Sequence, residues 1–357
     1  MKKLPKFKKK IKHIKSHLPV PKLEEPAVST TAPRITTETI AEHREEVLGS
    51  ARKYIYPLQH SKHRIVLIST GLFIAAVVAF FSYSVVALYQ LKDNSSFLYG
   101  VTQIIPFPVA KAGPKFVAYE NYLYELRHYM HYYQTQQKLD FKSEAGKLQL
   151  ADYKKRALDK VVNDAYVKIL ADKNKLSVSN RQVDDQIEIV RNQNRLGSSD
   201  KSFEDVLKEN FGWSINDFKR SLKQQLLAQR VVAHLDTETV GRAAAALNEL
   251  KSGADFGETA KKYSDDSLTK ESGGEIGGLI DKTNRDIAPQ TVAELFKLQP
   301  GQYSEVINTG YTLEIVKVID VQGDKVHAAH ILFSFKDIST YINDQKDKQK
   351  ARLYIKL

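Results

Sequence analysis

The stretch IVLISTGLFIAAVVAFFSYSVVALY, Ile65 to Tyr89, decides how this chain is partitioned. No charge occurs between Arg64 and Lys92. As a helix, a run of that length crosses a hydrocarbon core of roughly 30 Å. It follows a long polar segment, so it reads as a retained anchor and not as a cleaved signal peptide. Residues 1–64 hold fifteen Lys or Arg and six Glu, a net charge of +9. The whole chain is +12, which leaves +3 for everything beyond. Basic flanks stay on the cytoplasmic side. The expectation is a single-pass cell-membrane protein in lipid contact through residues 65–89. Its N-terminus is cytoplasmic and its bulk extracytoplasmic.

Residues 1–63 read as a disordered basic tail and 64–91 as the transmembrane helix. Eight lysines fall in the first fifteen residues, and Pro19, Pro21, Pro26 and Pro33 follow. Such a composition buries too little apolar surface to fold. The tail is either a solvated topology signal or a contact for anionic lipid headgroups. Nothing beside the lysines reads bases, so no specific nucleic-acid partner is expected. Residues 92–114, with Pro106, Pro108, Gly113 and Pro114, read as a stem. There is no Cys, which suits an oxidising exterior and leaves packing to hold the outer part. That part is about 240 residues, enough for two modest domains. No metal or cofactor signature is present.

From Lys115 the pattern turns helical. Phe116, Tyr119, Leu123, Leu126, Met130 and Tyr133 recur at spacings of three and four. Six tyrosines between Tyr119 and Tyr133 form either a core stripe or an aromatic surface for extended peptides. A second helix is expected over about Leu150 to Asn174, with Ala157, Leu158, Val161, Val162, Tyr166 and Leu170 buried. A third starts at Ser179, with Gln182 in the capping-box position. A fourth covers Phe203 to Asn210. A fifth follows Ser214, boxed by Asp217. These pieces, from Ala157-Leu158-Asp159-Lys160 through Ser177-Val178-Ser179 to Phe211-Gly212-Trp213-Ser214, resemble the helical chaperone domain of SurA/PrsA-type foldases. The expected all-α domain covers residues 115–235.

The next ninety residues carry a sharper pattern. Ser252-Gly253-Ala254-Asp255-Phe256 comes first. Ala260-Lys261-Lys262-Tyr263-Ser264-Asp265-Asp266 and Gly273-Gly274-Glu275-Ile276-Gly277 follow, then Leu298-Gln299-Pro300-Gly301. Asp255 and Glu258 can cap a short helix. Val306 to Val318 reads as a hairpin turning at Thr309-Gly310. The ordered set resembles the parvulin (PpiC-type rotamase) peptidyl-prolyl isomerases. That family opens with a strand bearing His, and here the best copy, Val326-His327-Ala328-Ala329-His330-Ile331-Leu332-Phe333, lies at the far end. Too few residues follow it for a second domain of this kind. The expectation is therefore a circularly permuted domain over 236–335, a small antiparallel sheet flanked by helices, with a helix or tail over 336–357. The overall fold class is α+β.

The resemblance implies a peptidyl-prolyl cis-trans isomerase acting on unfolded or nascent secreted polypeptides without a cofactor. It implies His330, Asp266 and Glu314 as the catalytic set, Glu314 standing where the family carries His. It implies Ile276, Ile287, Val292 and Phe296 as the proline seat; Thr291 is the alternative register for Val292. Two plain readings remain beside it. His330 can be a structural strand histidine, and Asp266 can cap a turn. His327 and His330 lie three apart on a strand, face opposite sides and cannot share a metal. The alternative function is a tethered holdase that uses the parvulin-like domain for peptide binding.

Overall fold

The computed structural model describes residues 36–55, 58–194 and 199–357. The lysine-rich segment and its prolines fall outside the described residues. The chain divides into two units, residues 1–77 and 78–357.

In the first unit, helix α1 covers Thr37–Ile55, where the sequence reading expects disorder. Thr36 and Thr39 explain the difference. Each backbone amide meets the other's hydroxyl, at 3.0 and 3.4 Å, a threonine version of the capping box. Helix α2 spans Leu58–Val85 and continues through a π-helical turn, Val86–Gln90. Its segment Arg64–Gln90 has a mean hydropathy of 2.5 and is long and apolar enough to cross a membrane.

The second unit takes in the end of α2 and the π-helical turn, then α3 (Ser96–Ile104), β1 (Pro108–Ala112) and β2 (Lys115–Ala118). These residues are not a stem. Leu98, Val109, Ala110 and Ala112 are fully buried. Helices α4 (Tyr119–Thr135), α5 (Glu144–Lys173), α6 (Asn180–Asn194), α7 (Asp200–Phe211) and α8 (Ile215–Leu235) follow. The box at Ser214 and Asp217 is complete. At α6, Gln182 accepts from the Ser179 amide at 3.0 Å, and Ser179 Oγ accepts from the Gln182 amide at 3.3 Å.

Tyr119, Tyr122 and Tyr124 are buried, so this part of the tyrosine run is core. Tyr119 donates to the Leu88 carbonyl at 2.6 Å and stacks edge-on with Tyr89 and Tyr122. Burying these rings stabilises α4, offset at Tyr122 by a buried hydroxyl with no hydrogen-bond partner among the described residues.

This helical part is not all-α. A short strand far down the chain, β6 (Arg352–Leu353), returns to pair with β1, giving a sheet ordered β2-β1-β6. Helix α12 (Ile338–Lys348) also returns, and Ile342 and Ile355 join the same core as Leu123 and Val161. The 336–357 segment thus belongs to the helical part.

Between α8 and α12 lies an α+β part. It holds α9 (Thr237–Lys251), α10 (Phe256–Tyr263), α11 (Pro289–Leu295), β3 (Ile307–Asn308), β4 (Thr312–Gln322) and β5 (Lys325–Ser334). Strand β4 pairs antiparallel with β3 and β5, and β4 turns into β5 at Gly323-Asp324. One sheet face packs Leu313, Ile315, Ile331 and Phe333 on α9 and α10. The other packs Val316, Val318, Val326 and Ala328 on Val292 and Leu295 of α11.

Candidate active site

Strand β5 has neighbours on both sides. Val316 opposes His330 across β4. On the other side Glu275 bridges to Ala329 and Ile280 to Val326. The His330 amide donates to the Gly274 carbonyl at 2.8 Å, and the Ile276 amide donates to the Ala328 carbonyl at 2.8 Å. Gly274 has φ +82, and a Cβ there would stand 2.2 Å from the His330 carbonyl oxygen. The glycine pair therefore lets this loop lie flat on β5.

That contact sets the polar centre. His330 Nε2 is 2.9 Å from Asp266 Oδ2, with the two side chains 13% and 19% exposed, shielded but reachable. Thr269 donates to the same oxygen at 2.5 Å, and its Oγ1 lies 3.1 Å from His330 Nε2. The Leu268 amide donates to Asp266 Oδ1 at 3.1 Å. Burial alone pushes the Asp266 carboxyl up. Hydrogen bonds from Thr269, His330 and Leu268 outweigh it and hold the group below its ordinary value. An ionised carboxylate only accepts, so His330 Nε2 carries the proton it donates.

Asp266 also carries its turn, through Leu268 and Thr269, so both the polar-centre and the capping reading apply to it. Sequence reasoning missed Thr269. The signal was a threonine three residues after Asp266, within reach of its carboxylate in a turn.

The apolar residues of the expected proline seat lie together. Ile276, Ile287, Val292 and Phe296 belong to one cluster with Val316 and Ala328. Strand alternation puts Ala328 and His330 on one face, so the cluster flanks the polar centre. Glu314 shares that face, two residues along β4 from Val316. It is buried, and its oxygens accept from Thr291 Oγ1 at 2.8 Å and Thr312 Oγ1 at 3.0 Å. Thr291 thus serves Glu314, while Val292 packs in the cluster. His327 takes a different partner, Glu275 Oε1 at 2.8 Å.

Comparison with known proteins agrees with this architecture. Residues 228–320 match the PPIC-type PPIase (Rotamase) domain model, so the α+β part is a parvulin-type rotamase domain. Residues 58–232 match the SurA-like N-terminal domain model. With the two in this order, the chain is PrsA/SurA-like in its domain make-up. Foldase protein PrsA 3 of Bacillus anthracis is 34% identical over 131 residues, 33% of this chain and 43% of that protein. Chaperone SurA of Methylobacillus flagellatus is 35% identical over 104 residues, 27% of this chain and 23% of that protein. Periplasmic chaperone PpiD of Escherichia coli is 35% identical over 92 residues, 26% of this chain and 14% of that protein. The chain spans less than half the length of these relatives. The rotamase match ends at residue 320, ahead of the strand that bears His330.

Proposed function

We propose that this chain is a membrane-tethered, extracytoplasmic peptidyl-prolyl isomerase and foldase. Its rotamase domain is read as circularly permuted, with β5 supplying the His-bearing strand that the family places first. The carrying observation is the 2.9 Å contact between His330 and Asp266, residues 64 positions apart, beside an apolar cluster. Amide resonance sets a rotation barrier of about 18–20 kcal/mol. No nucleophile is needed; a pocket that favours the twisted amide over the planar one lowers that barrier. Ile276, Ile287, Val292 and Phe296 seat the proline ring. The His330–Asp266–Thr269 set fixes the polar surroundings of the rotating carbonyl. Each 1.36 kcal/mol of preference for the twisted form is tenfold in rate.

The test uses the full chain in lipid nanodiscs and the isomerisation rate of a short Ala-Pro peptide. His330→Ala and Asp266→Ala are each expected to cut kcat/KM about tenfold or more, the scale of losing one positioned polar group. Unchanged rates in both would refute the assignment. A second reading, a holdase with a degenerate site, is favoured by Glu314, whose oxygens are engaged by two threonines. It predicts no isomerase activity and intact suppression of client aggregation. The tether reading rests on Arg64–Gln90 and the basic flank. Protease treatment of intact cells should digest the portion beyond residue 92 and spare the basic tail.

A further inference from the structure

A cleft of about 450 Å³ lies in the helical part, among β2, α4, α5 and α8. Three consecutive residues of β2, Lys115, Phe116 and Val117, line it. Neighbouring strand residues point to opposite faces, so the cleft meets β2 along its edge. That edge is open among the described residues, because β2 pairs only with β1. An open edge presents main-chain donors and acceptors to any strand that can reach it. Phe116 stands at the rim, 65% exposed. Val161 and Ala165 form an apolar floor.

The charges around the cleft are uneven. Lys160 is held by Glu125 and Asp164, Arg220 by Glu120, and Lys115 by Asp172. Lys168 has no ion-pair or hydrogen-bond partner among the described residues. Loss of water lowers its pKa first; Asp164 opposes this, and Arg220, Lys115 and Lys160 add to the lowering. Lys168 is exposed, and an incoming carboxylate relieves the crowding of like charge around it.

We propose that this cleft takes an extended, acidic segment of an unfolded polypeptide, added as a strand on the open edge of β2 with a carboxylate at Lys168. The inference rests on the chaperone reading of the helical part and names the client chemistry it selects. A polypeptide uses all three features at once: edge, apolar floor and cation. A lipid phosphate would use only the last.

The experiment takes the full chain in phosphatidylcholine nanodiscs. The probes are a labelled ten-residue peptide of alternating Asp and Val, its Asn counterpart, and the Asp peptide N-methylated along its backbone. The Asp peptide should bind at least tenfold tighter than the Asn peptide. Both Lys168→Gln and Lys168→Glu should abolish that gap, and N-methylation should weaken binding in the unaltered protein. Equal binding of the two unmethylated peptides, with aggregation suppression intact, overturns the acidic site and leaves the chaperone reading standing. A gap that survives both Lys168 variants also overturns it. So does Lys168-dependent binding of phosphatidylglycerol vesicles without peptide binding. Loss of all polypeptide binding and of aggregation suppression overturns the chaperone reading itself.

Discussion

Replacing Gly274 by Ala should loosen β5, and the size of the effect can be worked out against a control. Gly274 and Gly278 both have φ +82. The left-handed backbone costs an L-residue roughly 1–2 kcal/mol at either position, so that cost cancels in a comparison. The surroundings differ. A Cβ at 278 meets nothing within 4 Å, whereas at 274 it would stand 2.2 Å from the His330 carbonyl oxygen and 3.2 Å from Ala260 Cβ. The loop must back away from β5. It then strains or breaks the 2.8 Å bond from the His330 amide to the Gly274 carbonyl. A main-chain hydrogen bond is worth about 1 kcal/mol net, and an overpacked contact costs at least about 1 more. The excess over Gly278→Ala is therefore about 2 kcal/mol or more, close to a 30-fold change in the opening equilibrium. Hydrogen exchange of the amides in residues 325–334 reads it directly. Gly274→Ala should exchange roughly 30-fold faster there than Gly278→Ala. If the two variants exchange alike, the loop does not lie on β5 and the His330–Asp266 centre has lost its support.

Two further outcomes follow from the same structure. Asp266 has a folded pKa below its unfolded value, so its ionised form stabilises the fold. That contribution is complete above the ordinary carboxylate value, about 3.9, and is lost as pH falls through the lower folded value. Thermal melts should show it flat from about pH 5 to 8 and declining in acid, with Asp266→Asn removing that share of the acid slope; an unaltered slope counts against it. Ser214→Ala removes the box that opens α8 and should cost about 1 kcal/mol. Trp213, the single tryptophan, sits next to the cap and reports urea unfolding by fluorescence; an unshifted midpoint would contradict the cap energetics.

What was legible in the sequence was local. The boxes at Ser179–Gln182 and Ser214–Asp217 depend on residues three apart, and both form. The hairpin at Thr309-Gly310 and the turn at Gly323-Asp324 are short-range as well. Motif order points to His330 and Asp266 despite their separation, and the structure brings their side chains within 2.9 Å. The misreadings have separate causes. Residues 108–112 look like a proline-broken stem because Pro108 and Pro114 punctuate them and one of their two partner strands, residues 352–353, lies more than two hundred positions away. Nothing in a two-residue strand announces itself by period. The α1 helix was hidden because threonines supply both halves of its box, where the usual pattern has Glu or Gln in the third position. Glu314 lies on β4, and one of its two occupied oxygens depends on Thr291, which only the packing of α11 brings near.

The pairing of Lys111 with Arg352 has a consequence for biogenesis. Synthesis at about 5–20 residues per second delivers the later residue roughly 10–50 s after the earlier one. During that wait the rotamase domain is finished before the domain that precedes it. The helical half is left with an unsealed flank until its closing strand emerges. A protein proposed to shepherd other chains thus completes its own helical half last.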